Sequence, residues 1–560
     1  MKTSINKGRI CVYGPGRHSV HFASIPGARW NKKFMCWTYP ASPITGARVS
    51  RAAQKLGEEI LYDKGMRDLT EEWTVMRESA MWKTPTGVAA AKSAMSKGAT
   101  FNVKTQPWEH QVLARCFAGD RASVYYGMKM GTGKTLCIIE EIEDAKPNKT
   151  LIVCPKSVIA VWPAEFREHN PGNNMMMIPL TTGKTTQKVE QLRMAFSLAD
   201  ARGQDCVVIV NYETAFREPM GEFLIETEWG MIVFDEAHKI KAPGGRTSRW
   251  AAKLNAPIRR CLSGTPIPNS KLDVYGQFRF LDQGAFGTSF AKFRATYAEM
   301  GGYGGYEVIG WKNEDLFNRI IDLYMFRVDD DVLDLPPVTE MMRLVSLPPH
   351  AESIHRKLEL QFITDLANGE IVSASNVLAK TMKLREICSG FVIDDDGNKQ
   401  VIHNERQEAL EDLLNGISED ECVVVFAEFK HDLLAVEEVA SKLGRRYGEV
   451  SGRRNDLKDG AIPDSLRVLG VNPKSGGLGI QLQSSMYCVF YSVSYNFAEH
   501  EQAKARLHRG GQVRNVTYIY FVSPGTMETE IYKALIEKGD LIGAIMTYVK
   551  TGGQQKRKAK

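Results

Sequence analysis

Residues 123–142 set the strongest constraint on the fold. An apolar run, Ser123–Gly127, leads into Met130-Gly131-Thr132-Gly133-Lys134-Thr135, and a helical pattern follows from Leu136 to Ile142. A strand, a glycine-rich turn and a helix in that order form one βα step of a parallel sheet. Glycines let backbone N–H groups turn inward around a phosphate, and the helix N-terminus adds a favourable dipole. In such a loop Gly131, Thr132 and Gly133 form the cradle, Lys134 reaches the β- and γ-phosphates of a nucleotide, and the Thr135 hydroxyl ligates Mg²⁺. The strict G-x-x-x-x-G-K-T spacing fails at its first position, where Met128 stands and Gly127 lies one residue early.

The βα step repeats along the chain. Apolar runs at Leu151–Cys154, Cys206–Val210, Met231–Phe234 and Ile258–Ser263 alternate with helical patterns. Alternation stops near Asp282–Glu405, which holds the Gly-rich turn 301–306, Pro336-Pro337 and helical stretches, and resumes at Cys422–Phe426, Leu466–Val471, Tyr487–Tyr491 and Thr517–Val522. The expected architecture is α/β: two doubly wound parallel-sheet domains with a helical insertion and a small basic N-terminal module. The expected boundaries are 1–100 for the N-terminal module, 101–281 for the first lobe, 282–405 for the insertion, 406–549 for the second lobe and 550–560 for a basic tail. Within the first hundred residues Ala52–Arg67 reads as a helix and Thr84–Thr100 as a Gly/Ala/Ser/Lys-rich linker. Met175, Met176 and Met177 read as packing residues.

Composition narrows the function classes. With 43% hydrophobic and 25% charged residues the chain is ordinary globular material. No run of about 18 apolar residues occurs, so no membrane partner is expected. The opening stretch lacks the apolar core of a secretory signal, and the ten cysteines include no C-x-x-C pair, which favours a reducing compartment. Residues 1–100 hold 16 Lys and Arg against 7 Asp and Glu, and residues 550–560 hold five basic residues and no acid. The whole chain is only +6, so the remainder is mildly acidic. Basic ends on such a body suggest a polyanion, with nucleic acid ahead of a membrane surface.

Two further clusters carry chemistry. Asp235-Glu236-Ala237-His238 follows an apolar strand, which places carboxylates where open α/β sheets bind ligands. Asp235 can hold Mg²⁺ there, and Glu236 can polarise an attacking water. Gln502-Ala503-Lys504-Ala505-Arg506-Leu507-His508-Arg509 puts Arg506 and Arg509 at i, i+3, on one face of an expected helix. Phosphoryl transfer needs such cations on its developing charge.

The three clusters stand in the order of a superfamily 2 helicase motor, and the residues between them resemble its Swi/Snf-type DNA translocases. Pro107-Trp108-Glu109-His110-Gln111 looks like the adenine-reading motif, with the Gln111 amide suited to pair with adenine. Leu151–Pro155 with Trp162 and Phe166 resembles motif Ia, and Asn211-Tyr212-Glu213 resembles the segment after it on the DNA face. Leu262–Asn269 resembles motif III, Ser475–Leu482 motif V and Gln502–Gln512 motif VI. Leu335-Pro336-Pro337 and Leu384–Cys388 look like landmarks of this branch's insertion.

The resemblance implies two RecA-like lobes with ATP and Mg²⁺ between them. Lys134, Asp235, Glu236, Gln502, Arg506 and Arg509 are implied as catalytic, and Gln111 and Gly479 as further nucleotide contacts. Pro155, Lys156, Tyr212, Thr265, Ser475 and Gln481 are implied on the DNA track. Pro268, Gln481, Tyr495, Arg327-Val328 and Gly510-Gly511 depart from the branch's usual residues, and none of them is a nucleotide-chemistry position. Ile25–Trp30 with Trp37, Tyr39 and Pro40 resembles HARP-type modules of annealing translocases. Trp30 and Trp37 then fit two readings: stacking on unpaired bases, or a small hydrophobic core.

The expected function is an Mg²⁺- and ATP-dependent translocase on double-stranded or forked DNA, with single-stranded DNA as a second partner through the N-terminal module. A strand-separating helicase, an RNA motor and a DNA-binding module without motor activity stand as alternatives. The compact form resembles bacterial or phage members, which implies a prokaryotic cytoplasm, including that of an infected host.

Overall fold

The computed structural model describes residues 1–96, 101–170, 175–268, 270–301, 307–328, 335–367, 374–393, 399–458, 460–473, 480–493 and 497–536. The chain divides into two compact units, 1–332 and 333–560.

The first unit opens with four antiparallel strands: β1 (Lys2–Asn6), β2 (Arg9–Tyr13), β3 (Arg29–Asn31) and β4 (Cys36–Pro40), in the order β1-β2-β4-β3. Alternation turns Ile10, Val12, Trp37 and Tyr39 into one small core with Phe22, Val49 and Met66. The expected helix Ala52–Arg67 is two helices, Pro43–Gln54 and Lys64–Glu78. Gly57, in the left-handed region at φ +67°, turns the chain between them. The expected linker is helical from Pro85 to Ser96, because the four alanines of that stretch outweigh its one glycine, and residues 97–100 lie outside the described residues.

This N-terminal module is not a separate body. Ile44 and Met76 join the core of the first lobe. Arg48 donates to the carbonyls of Gly284 (2.7 Å) and Ala285 (3.2 Å), and Lys83 Nζ donates to the Met325 carbonyl (2.7 Å).

The first lobe's sheet contains β5 (Ser123–Met128), β6 (Lys149–Cys154), β7 (Met175–Pro179), β8 (Asp205–Asn211), β9 (Met231–Asp235) and β10 (Ile258–Leu262). Beyond a hairpin of β11 (Ala298–Gly301) and β12 (Glu307–Trp311), β13 (Met325–Val328) returns to the same sheet. The order is β13-β5-β10-β9-β6-β8-β7, and every pairing is parallel. Helices cover both faces of such a sheet, so Leu151, Val153, Val208, Val210, Ile232 and Phe234 are all fully buried. The three methionines lie partly buried on edge strand β7, and Met176 packs against the core of the lobe.

The second unit holds a six-stranded, wholly parallel sheet. Its strands are β14 (Val338–Leu344), β17 (Val423–Phe426), β18 (Tyr447–Val450), β19 (Val468–Val471), β20 (Tyr487–Phe490) and β21 (Val516–Val522), with β15 (Phe391–Ile393) and β16 (Lys399–Val401) forming a side hairpin. Their order is β14-β21-β20-β17-β19-β18. The expected insertion 282–405 is therefore no third body. Its first part ends in β13, paired with β5, and its later part begins with β14, paired with β21.

A buried ion pair lies directly after the expected insertion, on the helix Glu405–Asn415 of the second unit. Arg406, 1% exposed, donates to Glu528 (2.5 Å) and to the Tyr491 carbonyl (2.7 Å), with Asp432 buried nearby. Removing one partner of such a pair leaves an uncompensated buried charge and costs about 3–5 kcal/mol. Arg406→Ala is expected to unfold the second unit first. All nine tryptophans lie in the first unit. Far-UV circular dichroism should therefore show an early transition that tryptophan fluorescence does not report. Coincident transitions at the unaltered temperature would refute it.

Candidate nucleotide site and nucleic-acid face

The loop between β5 and the helix Lys134–Ala145 has the backbone shape that the sequence requires. Gly131 and Gly133 are both left-handed, at φ +79° and +77°, which turns successive N–H groups toward one concavity. Lys134 opens the helix, and its ammonium donates to the carbonyls of Met128 (2.9 Å) and Lys129 (3.1 Å). Met128 thus supplies a carbonyl to the site. Gly127 is glycine for another reason: a methyl there would come within 2.7 Å of Met325 Sδ on β13.

Two residues brace this loop from the helix Glu109–Ala118. The Thr132 carbonyl accepts from Gln111 Nε2 (3.2 Å) and from His110 Nε2 (2.9 Å), so that histidine nitrogen carries the proton. Gln111 Oε1 accepts the Trp108 N–H (2.8 Å). The Gln111 amide expected to meet adenine thus makes one hydrogen bond within the chain at each end. The left-handed φ requires glycine at Gly133, and a methyl there would lie 2.0 Å from Gln111 Nε2 and displace that amide from the loop.

β10 lies between β5 and β9, so the loops after all three strands share one edge of the sheet. Asp235 ends β9, and Glu236 follows in the left-handed region at φ +55°, a conformation that costs energy for a non-glycine residue. Glu236 is buried; its Oε2 lies 3.2 Å from His238 Nδ1 and accepts from Ser263 Oγ (3.5 Å). Ser263 in turn pairs with His238 Nδ1 (3.0 Å) and accepts the Thr265 N–H (3.1 Å). Asp235 Oδ2 accepts from Trp162 Nε1 (3.3 Å), and the Asp235 carbonyl accepts from the Tyr212 hydroxyl (2.7 Å). Burial holds the Asp235 carboxyl above its usual range and the Glu236 carboxylate adds to this, while the Lys134 ammonium and the Trp162 N–H oppose it. The lysine of the loop and the aspartate of β9 therefore feel one another. The Asp235 carboxylate and the Thr135 hydroxyl, oxygen donors beside a phosphate cradle, suit Mg²⁺, which takes one or two protein oxygens and keeps its waters.

The residues expected on the DNA track divide. Lys156 is exposed just beyond β6, whereas Pro155 is buried and shapes the turn, its carbonyl accepting the Val158 N–H. Tyr212 is corrected: it is 3% exposed, packed on Phe234, with its hydroxyl spent on Asp235. Thr265 is half-buried beside Ser263, and Gln481 is half-buried with its N–H on the Gly460 carbonyl. Ser475, Gly479, Tyr495 and the basic tail lie outside the described residues. Trp37 is also corrected. It is 7% exposed, its indole N–H donates to the Gly16 carbonyl (3.1 Å), and Trp30 meets it edge-on at 5.4 Å, half-buried. Of the two readings of these tryptophans, Trp37 follows the small core.

In the second unit, Gln502 and Arg506 lie on the helix Phe497–Leu507, but Arg509 lies in the turn beyond it. The expected shared helix face is corrected. The Arg506 carbonyl accepts the Leu482 N–H, and Gly510-Gly511 turn the chain away, Gly511 at φ +94°.

The SNF2-related domain pattern matches residues 111–391, half of the chain, from Gln111 to Phe391. The chain belongs to the SNF2-related family. It is a helicase-like ATPase by that membership. This SNF2-related chain is 26% identical to protein p41 of Acyrthosiphon pisum secondary endosymbiont phage 1, over 76% of its own length and 94% of that protein. It is 27% identical to the DNA repair and recombination protein RAD54-like of Drosophila yakuba and 23% identical to RAD54B of Gallus gallus. Those alignments cover 75% and 78% of this chain but 59% and 54% of the relatives, so the chain spans a little over half of their length. A Sulfolobus solfataricus SWI2/SNF2 ATPase core in complex with dsDNA aligns over 81% of this chain and 95% of its own, with 21% identity and a TM-score of 0.37. Among the described residues, no helix is long and apolar enough to cross a membrane.

Several residues of the site were not legible as such in the SNF2-related sequence. His110, His238, Ser263 and Trp162 touch the loop or the carboxylates through single hydrogen bonds. His110, His238 and Ser263 sit inside named motifs and Trp162 stands with motif Ia, which was a usable signal for position but not for partner. Trp162 lies 73 residues from its partner, and only the parallel sheet joins them.

Proposed function

We propose that the chain is an Mg²⁺- and ATP-dependent motor that tracks along duplex DNA. The observation that carries this reading is the convergence of the phosphate loop, Asp235 and the Glu236–His238–Ser263 network on one sheet edge, in a chain of the SNF2-related family. Relatives named for DNA repair and recombination support DNA as the partner. Their partial coverage leaves the task itself, fork remodelling or protein displacement, as part of the proposal.

The residues divide the work. The cradle N–H groups and Lys134 bind the β- and γ-phosphates, with the ammonium exchanging two loop carbonyls for phosphate oxygens. Thr135 and Asp235 would hold Mg²⁺, which when bound neutralises the phosphate charge. Glu236 orients and deprotonates the attacking water, and His238 and Ser263 hold its carboxylate. Arg506 and Arg509 supply cations during turnover. Lys156 makes phosphate contacts of little sequence preference.

The test is strand displacement from two substrates. The motor should displace a third strand from a triplex, which reports tracking along intact duplex, and open a tailed duplex poorly. Both activities should require hydrolysable ATP with Mg²⁺. Robust unwinding without triplex displacement would move the chain to the strand-separating class. ATPase stimulation by RNA alone would move it to an RNA motor.

A further inference from the structure

Asp235 is held from two sides by residues that carry no nucleotide chemistry of their own. Trp162, 1% exposed, lies on the helix Val161–His169 that follows β6, with its ring 6.3 Å from Phe166. Its indole N–H reaches the Asp235 carboxylate at 3.3 Å. Tyr212, directly after β8, donates its hydroxyl to the Asp235 main-chain carbonyl at 2.7 Å. β6 lies between β9 and β8, so both residues approach the end of β9 from its β6 side.

The chemistry of the two donors matters. An indole N–H only donates and cannot take a place on a metal ion. It fixes one carboxylate oxygen, and with it the carboxylate's rotation, without competing for the cation. The tyrosine fixes the main chain from which that carboxylate hangs. A ligand held this way meets its cation without first losing rotamer freedom, as partners of a metal ligand's outer shell generally ensure.

We propose that Trp162 and Tyr212 are positioning residues that orient the Asp235 carboxylate toward the cation accompanying the nucleotide. The proposal rests on the ATPase reading of the site and assigns work to two residues outside the catalytic set. Trp162 also stands six residues beyond exposed Lys156, so the carboxylate is braced by the same segment that offers the first DNA contact.

The experiment is equilibrium binding of a fluorescent ATP analogue to the full chain, in EDTA and across a Mg²⁺ titration. Trp162→Phe removes the N–H and keeps an aromatic ring; Tyr212→Phe removes only a hydroxyl. Phe166→Leu disturbs the packing around Trp162 and leaves the N–H in place, which separates orientation from packing. In EDTA the two positioning variants should bind as the unaltered chain does. The gain in affinity that Mg²⁺ brings should fall about tenfold in Trp162→Phe, the scale of a lost hydrogen bond to a charged group, and by less in Tyr212→Phe. The Mg²⁺ concentration for half-maximal turnover should rise in parallel. Phe166→Leu should keep the Mg²⁺ gain. If Trp162→Phe does not fold, Tyr212→Phe with a weakened Mg²⁺ gain supports the assignment and with an unchanged gain refutes it. An unaltered Mg²⁺ gain in Trp162→Phe, or an equal loss in Phe166→Leu, overturns it. Absence of any Mg²⁺ response in the unaltered chain overturns the nucleotide-site reading itself, and this assignment with it.

Discussion

Glu236→Gln is expected to bind ATP as the unaltered chain does and to hydrolyse it at least about 10²-fold more slowly, the range of a lost general base. The amide keeps an oxygen for His238 and Ser263, so the network around position 236 survives the exchange. What is lost is the ability to take a proton from water. Lys134→Ala should differ in kind. It removes the ammonium now resting on the Met128 and Lys129 carbonyls, and with it the main charge for the phosphates, so affinity and turnover fall together. Nucleotide affinity measured beside steady-state hydrolysis separates the two. Near-normal turnover in Glu236→Gln would contradict its assigned role.

The second large effect belongs to the arginines of the second unit. Arg506→Ala and Arg509→Ala should each lower turnover at least about tenfold, with 10³–10⁵ the scale of a complete arginine finger. Neither residue belongs to the unit that carries the phosphate loop, so ATP affinity should change little. Arg506 lies on the last helical turn and Arg509 in the turn after it, just before Gly510-Gly511, so the two reach their targets from different backbone geometries. Charge alone should then be insufficient at Arg506, which is 7% exposed: lysine there cannot reproduce a planar guanidinium fork. Single-turnover hydrolysis and equilibrium nucleotide binding, measured side by side, check this. Unchanged turnover with weakened ATP binding would overturn it.

The chain's local signals were reliable where a parallel sheet makes them strong. Strands buried on both faces are mostly apolar, so β5, β6, β8, β9, β17, β19, β20 and β21 stand out as short apolar runs, and β10 does so despite Arg259 and the buried Arg260, which pairs with Glu141. The strands missed were of another kind. β7 is an edge strand, β14 is exposed along nearly its whole length, and β18 contains Gly448 and Glu449. β13 is only four residues long and follows a helical stretch. β13, β14 and β18 are broken by polar residues or glycine, whereas β7, Met175–Pro179, is an apolar run that reads equally well as packing residues.

The phosphate cradle, the Asp235-Glu236 pair and the family were determined by sequence alone, because they depend on residue type at short spacing. A left-handed turn needs glycine, a phosphate needs a lysine, and a water needs a carboxylate. Tertiary structure decided which side chains are free to act. Gln111, Tyr212 and Trp37 have the right chemistry for adenine, DNA and unpaired bases, but packing directs Gln111 to the loop, Tyr212 to Asp235 and Trp37 to a core. It also divided the expected insertion between two sheets, since β13 and β14 find their hydrogen-bond partners about two hundred residues away in opposite directions along the chain. Burial and long-range pairing depend on what the rest of the chain places alongside a residue, and no short stretch of sequence contains that.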